Sequence, residues 1–354
     1  MRIAVTNTQA PFVTGGAELH AINLCNALRE AGHEAELVTI PFNWRSAEGL
    51  LDHVIAASNI DLAEFFGAPI DLMIGLKFPA YLMRHPNKVV WLLHQHREAY
   101  DLWDAGLGGL RQQEGGQTMR KIIADIDTRA LGTVKRLFAN SRNVAGRLQR
   151  YNGIQAEPLY HPPPLAGSIR AGEYGNYFYF PSRISGLKRQ ALVLEALVKC
   201  QSPARIVFSG GADSSNDAAG FRGKIEELGL SDRVEWRGHV NNNEMLDLYA
   251  NARAVIFPPL DEDLGYVTLE AMLAKKPVIT TTDSGGPLEF ISDGAQGLVV
   301  KPDSKALADA FDRLWQRPDD AQRMGENARK RYDALGISWT NVVRSLTGAG
   351  SIND

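Results

Sequence analysis

Two glutamates, Glu262 and Glu270, stand with seven residues between them in the stretch Phe257-Pro-Pro-Leu-Asp-Glu-Asp-Leu-Gly-Tyr-Val-Thr-Leu-Glu-Ala-Met-Leu-Ala274. The apolar run Ala254 to Phe257 predicts a strand, Pro258-Pro259 a turn, Asp261-Glu-Asp263 an acidic loop, and the residues after Gly265 a helix. In an open α/β sheet, ligands bind beyond the carboxyl ends of the strands. A helix N-terminus placed there offers N–H groups and the positive end of a dipole to an anion. A glutamate just before that N-terminus and another inside the helix can hold the hydroxyls of a ligand whose phosphates rest on the helix end. That combination suits a nucleotide-sugar. Taken alone, the two glutamates read more readily as ordinary helix capping or a solvated helix face, so the reading depends on what else collects at the strand ends.

Several other groups collect there. Arg183 and Lys188, in Ser-Arg-Ile-Ser-Gly-Leu-Lys, follow a predicted strand and can neutralise a diphosphate, the arginine as a fork and the lysine as a point charge. Glycine pairs occur at two strand-to-helix turns, Gly15-Gly16 and Gly285-Gly286, where the missing Cβ lets backbone N–H groups approach a ligand closely. His94-Gln-His96-Arg97 ends the fourth predicted strand, where an imidazole can orient a hydroxyl. His94-x-His96 lacks a recognisable third metal ligand. A Gly-x-Gly-x-x-Gly fingerprint is absent, which disfavours a nicotinamide dehydrogenase.

These groups need a scaffold of alternating strands and helices. Strands are predicted at Arg2–Thr6, Ala35–Ile40, Ile70–Leu76, Lys88–Leu93 and Val134–Ala139. The first helix carries Ala21, Leu24, Cys25 and Leu28 at i, i+3, i+4, i+7 spacing and closes at Gly32. Glu157-Pro-Leu-Tyr-His-Pro-Pro-Pro-Leu165 reads as a semi-rigid connector, since successive prolines fit neither a helix interior nor a central strand. A second series follows at Tyr177–Phe180, Arg205–Phe208, Arg233–Trp236, Ala254–Phe257, Pro277–Thr280 and Gly297–Val300. The expectation is α/β: two Rossmann-like domains, 1–163 and 164–336, facing across a cleft, with 337–354 returning as a C-terminal helix to the first. Trp339 is expected in a core.

Bulk properties narrow the classes. A net charge of −3 over 354 residues gives no basic balance for nucleic acid. The N-terminal apolar run is too short for a signal peptide, and no run of about eighteen apolar residues appears, so the cytoplasm is the expected compartment. Cys25 and Cys200 sit at apolar helix positions and read as buried thiols. Residues 105–150 carry nine Lys/Arg against three Asp/Glu, whereas residues 1–104 carry seven against twelve. This basic face is a solvated helix face, receives an acidic acceptor, or rests on an anionic membrane at the inner face.

Taken together, the motifs resemble the retaining glycosyltransferases of family four, which have the GT-B fold. Glu262…Glu270 matches that family's Glu-x7-Glu, Arg183…Lys188 its Arg-x4-Lys, Gly285-Gly286-Pro-Leu-Glu289 its Gly-Gly-x-x-Glu, and Asp293-Gly-Ala-Gln-Gly297 its Asp-Gly-x-x-Gly. The resemblance implies transfer of a hexose from a nucleotide-diphosphate donor, commonly uridine-linked, to a saccharide or lipid-linked acceptor, without metal or cofactor. Glu270 would meet the ribose, Glu262 the donor sugar, and Arg183 with Lys188 the diphosphate. Gly15-Gly16 would add backbone contacts to phosphate, His94 would lie near the sugar, Gly238-His239-Val240 would hold the base, and Leu264, Gly265, Tyr266 and Val267 would present the helix end. The acceptor would belong to the N-terminal domain. Asp263 departs from the family's usual Glu-Gly-Phe-Gly loop and leaves the sugar open. Asp261-Glu-Asp263 mimics a metal motif of single-domain transferases. The competing readings are a nucleotide-sugar epimerase of the same fold and a non-catalytic sugar-nucleotide-binding protein.

Overall fold

The computed structural model describes residues 1–12, 15–212 and 214–348. The chain forms two units, Met1–Pro164 with Ser338–Asp354, and Leu165–Ile337.

In the first unit the strands are β1 (Arg2–Gln9), β2 (Glu34–Pro41), β3 (Glu64–Phe65), β4 (Ala68–Pro69), β5 (Leu72–Lys77), β6 (Lys88–His94), β7 (Arg136–Ala139) and β8 (Glu157–Pro158). The helices are α1 (Gly16–Glu30), α2 (Ala47–Asn59), α3 (Asp101–Asp104), α4 (Gly116–Gly132), α5 (Arg142–Asn152) and, from the chain's end, α12 (Trp339–Thr347). A parallel sheet runs in the order β2-β1-β5-β6-β7-β8. Its central strands are apolar without alternation because helices cover both faces; Val89 through Leu92 of β6, for example, are all buried. Helix α1 turns Ala21, Leu24, Cys25 and Leu28 inward, as their spacing predicts. Trp339 packs against the same core, its indole 5.5 Å from the His161 ring and 6.3 Å from that of Trp91.

Three features differ from the sequence reading. Glu157–Pro158, expected inside the connector, pairs with β7 as a sixth strand, at the sheet edge where a proline's missing N–H costs nothing. The β3–β4 hairpin and helix α2 were not anticipated; α2 starts where Ser46 Oγ accepts the Gly49 N–H at 3.0 Å. The basic stretch 105–150 is also partly turned inward. Arg136 donates to the terminal carbonyls of α12 at Ser345 and Leu346, Arg147 is buried, and Arg120 and Arg150 pair with Asp104.

The second unit contains β9 (Phe178–Pro181), α6 (Gln190–Lys199), β10 (Ile206–Ser209), α7 (Ser215–Glu227), β11 (Val234–Trp236), α8 (Asn242–Asn251), β12 (Ala254–Ile256), α9 (Tyr266–Leu273), β13 (Val278–Thr281), β14 (Gly297–Val300), α10 (Ser304–Gln316) and α11 (Pro318–Ala334). All its strand pairs are parallel, in the order β11-β10-β9-β12-β13-β14. Counted within the unit this is 3-2-1-4-5-6, the doubly wound order that reverses between its first and fourth strands. The helices after β9 and β12 therefore lie on opposite faces of the sheet, and the two loops meet at the reversal point, where a sheet of this order has its crevice. Cys200, expected inside a helix, is instead the half-buried C-cap residue of α6.

No helix among the described residues is long and apolar enough to cross a membrane.

Candidate active site

The reversal point brings together the β9 loop, which carries Arg183 and Lys188, and the β12 loop, which carries Glu262. Lys188 Nζ donates to Glu262 Oε2 at 2.6 Å, with the two side chains 17% and 24% exposed. The same ammonium lies 5.2 Å from the centre of the Phe257 ring. Two groups read from sequence as separate ligand contacts are thus each other's partner. Arg183 is exposed at the start of this loop, and its carbonyl accepts from Gln190 Nε2 at 2.9 Å.

The acidic loop is laced to the turn after β13. Asp261 and Glu262 donate their N–H groups to the carbonyls of Asp283 and Ser284, each at 2.9 Å, and the Gly286 N–H returns to the Glu262 carbonyl at 2.8 Å. Gly286 is there because nothing larger fits: a Cβ would lie 2.6 Å from the Leu264 carbonyl oxygen and 2.7 Å from that of Asp263. Gly265 follows at φ 83°, in the left-handed region that favours glycine, and caps α9. The first N–H groups of a helix have no partner inside it, so Tyr266 and Val267 stand at an anion-receptive end. The Leu264 side chain is buried and contributes shape rather than a polar contact.

Glu270 lies inside α9, buried, and accepts the Tyr249 hydroxyl at Oε2 at 2.5 Å. Burial pushes its carboxyl above the ordinary range, while the Tyr249 hydrogen bond pulls the other way. Burial, and secondarily the nearby Glu270 charge, pushes the Tyr249 and Tyr266 phenols up. Nothing in the sequence pattern of α8 singles out Tyr249. It occupies an apolar position of that helix, and only the fold sets it against α9.

Gly238 leaves the edge strand β11 at φ 63°, its carbonyl accepts the Gly210 N–H at 2.7 Å, and His239 beside it is exposed. Asp293 and Gly297, by contrast, belong to a structural turn. Asp293 Oδ1 accepts the Val299 N–H at 3.0 Å, and a Cβ on Gly297 would lie 2.0 Å from the Val278 carbonyl oxygen.

Gly15, Gly16 and His94 belong to the first unit. Gly15 caps α1, and its N–H donates to Glu18 Oε2 at 2.9 Å, so the chain's own carboxylate holds that amide. His94 ends β6 with Nδ1 2.6 Å from the Gln95 carbonyl oxygen, which sets the ring's orientation. His96 is buried against Phe42 and Phe78, and burial, then His94 and Lys77, lowers its imidazole to about 4. Among the described residues no group of three or more His, Cys, Asp or Glu side chains is placed to hold a metal ion.

A parallel doubly wound unit with an acidic loop, paired cations and a helix end at its reversal point has the form of a nucleotide-sugar-handling domain. Residues 167–331 match the family described as glycosyl transferases group 1. The chain is 34% identical over 133 residues to an alpha-1,3/1,6-mannosyltransferase of Dictyostelium discoideum, covering 36% of this chain and 31% of the relative. It is 26% identical over 231 residues to an O-antigen chain mannosyltransferase of Escherichia coli, covering 61% of each. The chain thus spans about one third and three fifths of the lengths of these curated relatives. Among solved structures it superposes on HepE of Anabaena in complex with UDP and glucose, with TM-score 0.72 and 18% identity, covering 99% of both chains. The fold is GT-B.

Proposed function

We propose that the chain is a retaining, metal-independent hexosyltransferase of family four. It moves a hexose from a nucleotide-diphosphate donor, uridine-linked, to a saccharide or lipid-linked acceptor in glycan or surface-polysaccharide synthesis. The observation that carries this is the Lys188–Glu262 pair, set at the reversal point of the sheet beside the N-terminus of α9. The mannosyltransferase names of the relatives, and the UDP and glucose in the HepE complex, support the donor class.

The chemistry follows from charge. Breaking the anomeric bond puts negative charge on the departing diphosphate. Lys188, Arg183 and the α9 amides stabilise that charge more in the transition state than in the ground state. When Lys188 turns to phosphate, Glu262 leaves its ion pair and accepts sugar hydroxyls. Glu270, already fixed by Tyr249, accepts ribose hydroxyls, and the Gly238–Val240 turn receives the base. The acceptor hydroxyl attacks the anomeric carbon from the face the diphosphate leaves, its proton passing to the departing phosphate oxygen as the carbon–phosphate-oxygen bond breaks, so configuration is retained. The first unit is assigned the acceptor. The exposed Lys121, Arg129 and Lys135 give it a basic face for peripheral contact with an anionic cytoplasmic membrane surface.

The test is thermal stabilisation by a panel of nucleotides and nucleotide-sugars, with Lys188→Ala and Glu270→Ala beside the wild type. A ligand at a hundred times its Kd stabilises by about 2.7 kcal/mol. The expected result is a shift with one diphosphate donor that both substitutions abolish. No shift with any member, or one indifferent to both substitutions, sinks the assignment.

A further inference from the structure

The acidic loop that carries Glu262 is anchored from both sides, and a second ion pair closes the anchorage. Arg189, directly after Lys188, donates from Nη1 and Nη2 to Asp283 Oδ1 and Oδ2 at 2.7 and 2.6 Å, a fork-to-fork geometry, and from Nη1 to Thr281 Oγ1 at 3.3 Å. Asp283 in turn accepts the Asp261 N–H through its carbonyl, and on the other side the Leu187 carbonyl accepts the Leu260 N–H at 2.8 Å. The three loops after β9, β12 and β13 therefore form a closed ring. Its covalent segments are 187–189, 260–262 and 281–286, and the Arg189–Asp283 pair is the contact that joins the first directly to the third.

Two further observations mark this pair as more than a surface contact. Arg189 holds φ 61°, a left-handed conformation that a residue with a Cβ keeps only where its surroundings over-determine it. The partner turn is also rigid: Ser284 Oγ lies 2.8 Å from Thr281 Oγ1 and accepts the Thr281 N–H at 3.1 Å. Burial pushes the Asp283 carboxyl up, but the Arg189 hydrogen bonds and charge outweigh it and hold it below the usual range.

We infer that Arg189 and Asp283 are a positioning pair that fixes the register of the acidic loop against its two neighbours and so sets where the Glu262 carboxylate stands. Neither residue is among the donor contacts proposed above. Their effect on turnover rests on the donor-site reading above, whereas their effect on the loop does not.

The test uses the full chain with Asp283→Asn, Arg189→Lys and Arg189→Gly. The glycine variant removes the guanidinium while relieving the left-handed backbone, which guards against simple misfolding. Amide hydrogen exchange at Leu260, Asp261, Glu262 and Gly286 is expected to quicken about tenfold or more in Asp283→Asn and Arg189→Gly, with β1 amides unchanged. Turnover of the donor that stabilises the wild type is expected to fall about a hundredfold in kcat, with thermal stability held in Arg189→Gly. Unchanged exchange at those four amides in both variants overturns the pair. Quickened exchange in a protein that no nucleotide-sugar stabilises supports the pair and removes the donor reading instead.

Discussion

Tyr249→Phe isolates one oxygen atom at the buried carboxylate of Glu270. The ring stays, so its edge contact with Tyr179, at 5.0 Å between centroids, is kept and no cavity opens. What is lost is a 2.5 Å hydrogen bond to a carboxylate in a dry setting. Hydrogen bonds to charged groups contribute about 1.5–3 kcal/mol, and the dry site argues for the upper half of that range. Leu165–Ile337 is 173 residues, for which each kcal/mol lowers Tm by roughly 2–4 °C, so the drop should be about 4–12 °C in the transition that the donor shifts. The sign with pH follows from the carboxyl's raised folded-state value. A group that holds its proton better when folded contributes stability that is full below the unfolded value, here 4.5, and is lost as pH rises through the folded value. Removing Tyr249's hydroxyl raises the folded value further, so the loss continues to higher pH. Calorimetry or circular dichroism at pH 5 and pH 8 reads this directly, with the larger deficit expected at pH 8. A deficit below about 0.5 kcal/mol at pH 8, or one equal at both pH values, refutes the reasoning.

Three other perturbations bear on the scaffold. Gly286→Ala places a methyl against two backbone carbonyls of the acidic loop, so the loop must move. Donor-induced stabilisation should vanish while circular dichroism still reports the α/β fold, and retained donor affinity would show that the turn yields instead. The His161 imidazole, buried in the first unit 2.9 Å from His20, is lowered by burial to about 4. The stability it contributes is full above 6.5 and falls as pH drops through about 4, with a slope approaching 1.4 kcal/mol per pH unit, so His161→Gln should flatten urea midpoints between pH 6.5 and 4. Asp127, raised by burial to about 6 although Tyr81 and Tyr100 each donate to it at 2.7 Å, has the opposite dependence. Stability declines as pH rises from 3.8 through about 6, and Asp127→Asn should remove that decline.

The strands were legible because most are buried on both faces, so their apolar runs stand out even in four residues, as in Phe178–Pro181. Elements whose signal is not apolar were harder to read. Glu157–Pro158 joins the sheet through backbone pairing at an edge, and the β3–β4 hairpin is two residues a side, so neither leaves a periodic trace. The site divides the same way. Arg183, Lys188, Glu262 and Glu270 could be named because their spacing and order along the chain match a set of motifs that no one of them makes alone, but which of them touch was not readable. Lys188 and Glu262 are 74 positions apart, and only the 3-2-1-4-5-6 order makes their loops neighbours.

Topology likewise explains why the supporting residues escaped notice while those proposed to meet the donor did not. A contact that serves a ligand must present charge or a bare backbone at a crevice, and both leave a mark in sequence. A contact that serves another loop needs only a partner across the fold: Tyr249 looks like a core tyrosine until α9 sets Glu270 against it, and Arg189 looks like a spare cation until Asp283 receives it. Both supporting contacts carry a hydroxyl or guanidinium to a carboxylate at 2.5–2.7 Å, close enough to hold the acidic side chains and their loops in place without a ligand. The exception is Lys188–Glu262, whose partners satisfy each other at the mouth of the crevice. With those loops ordered in advance, the donor proposed above would exchange the Lys188–Glu262 ion pair, and the cost of binding would fall on the residues that would do the chemistry rather than on the loops that carry them.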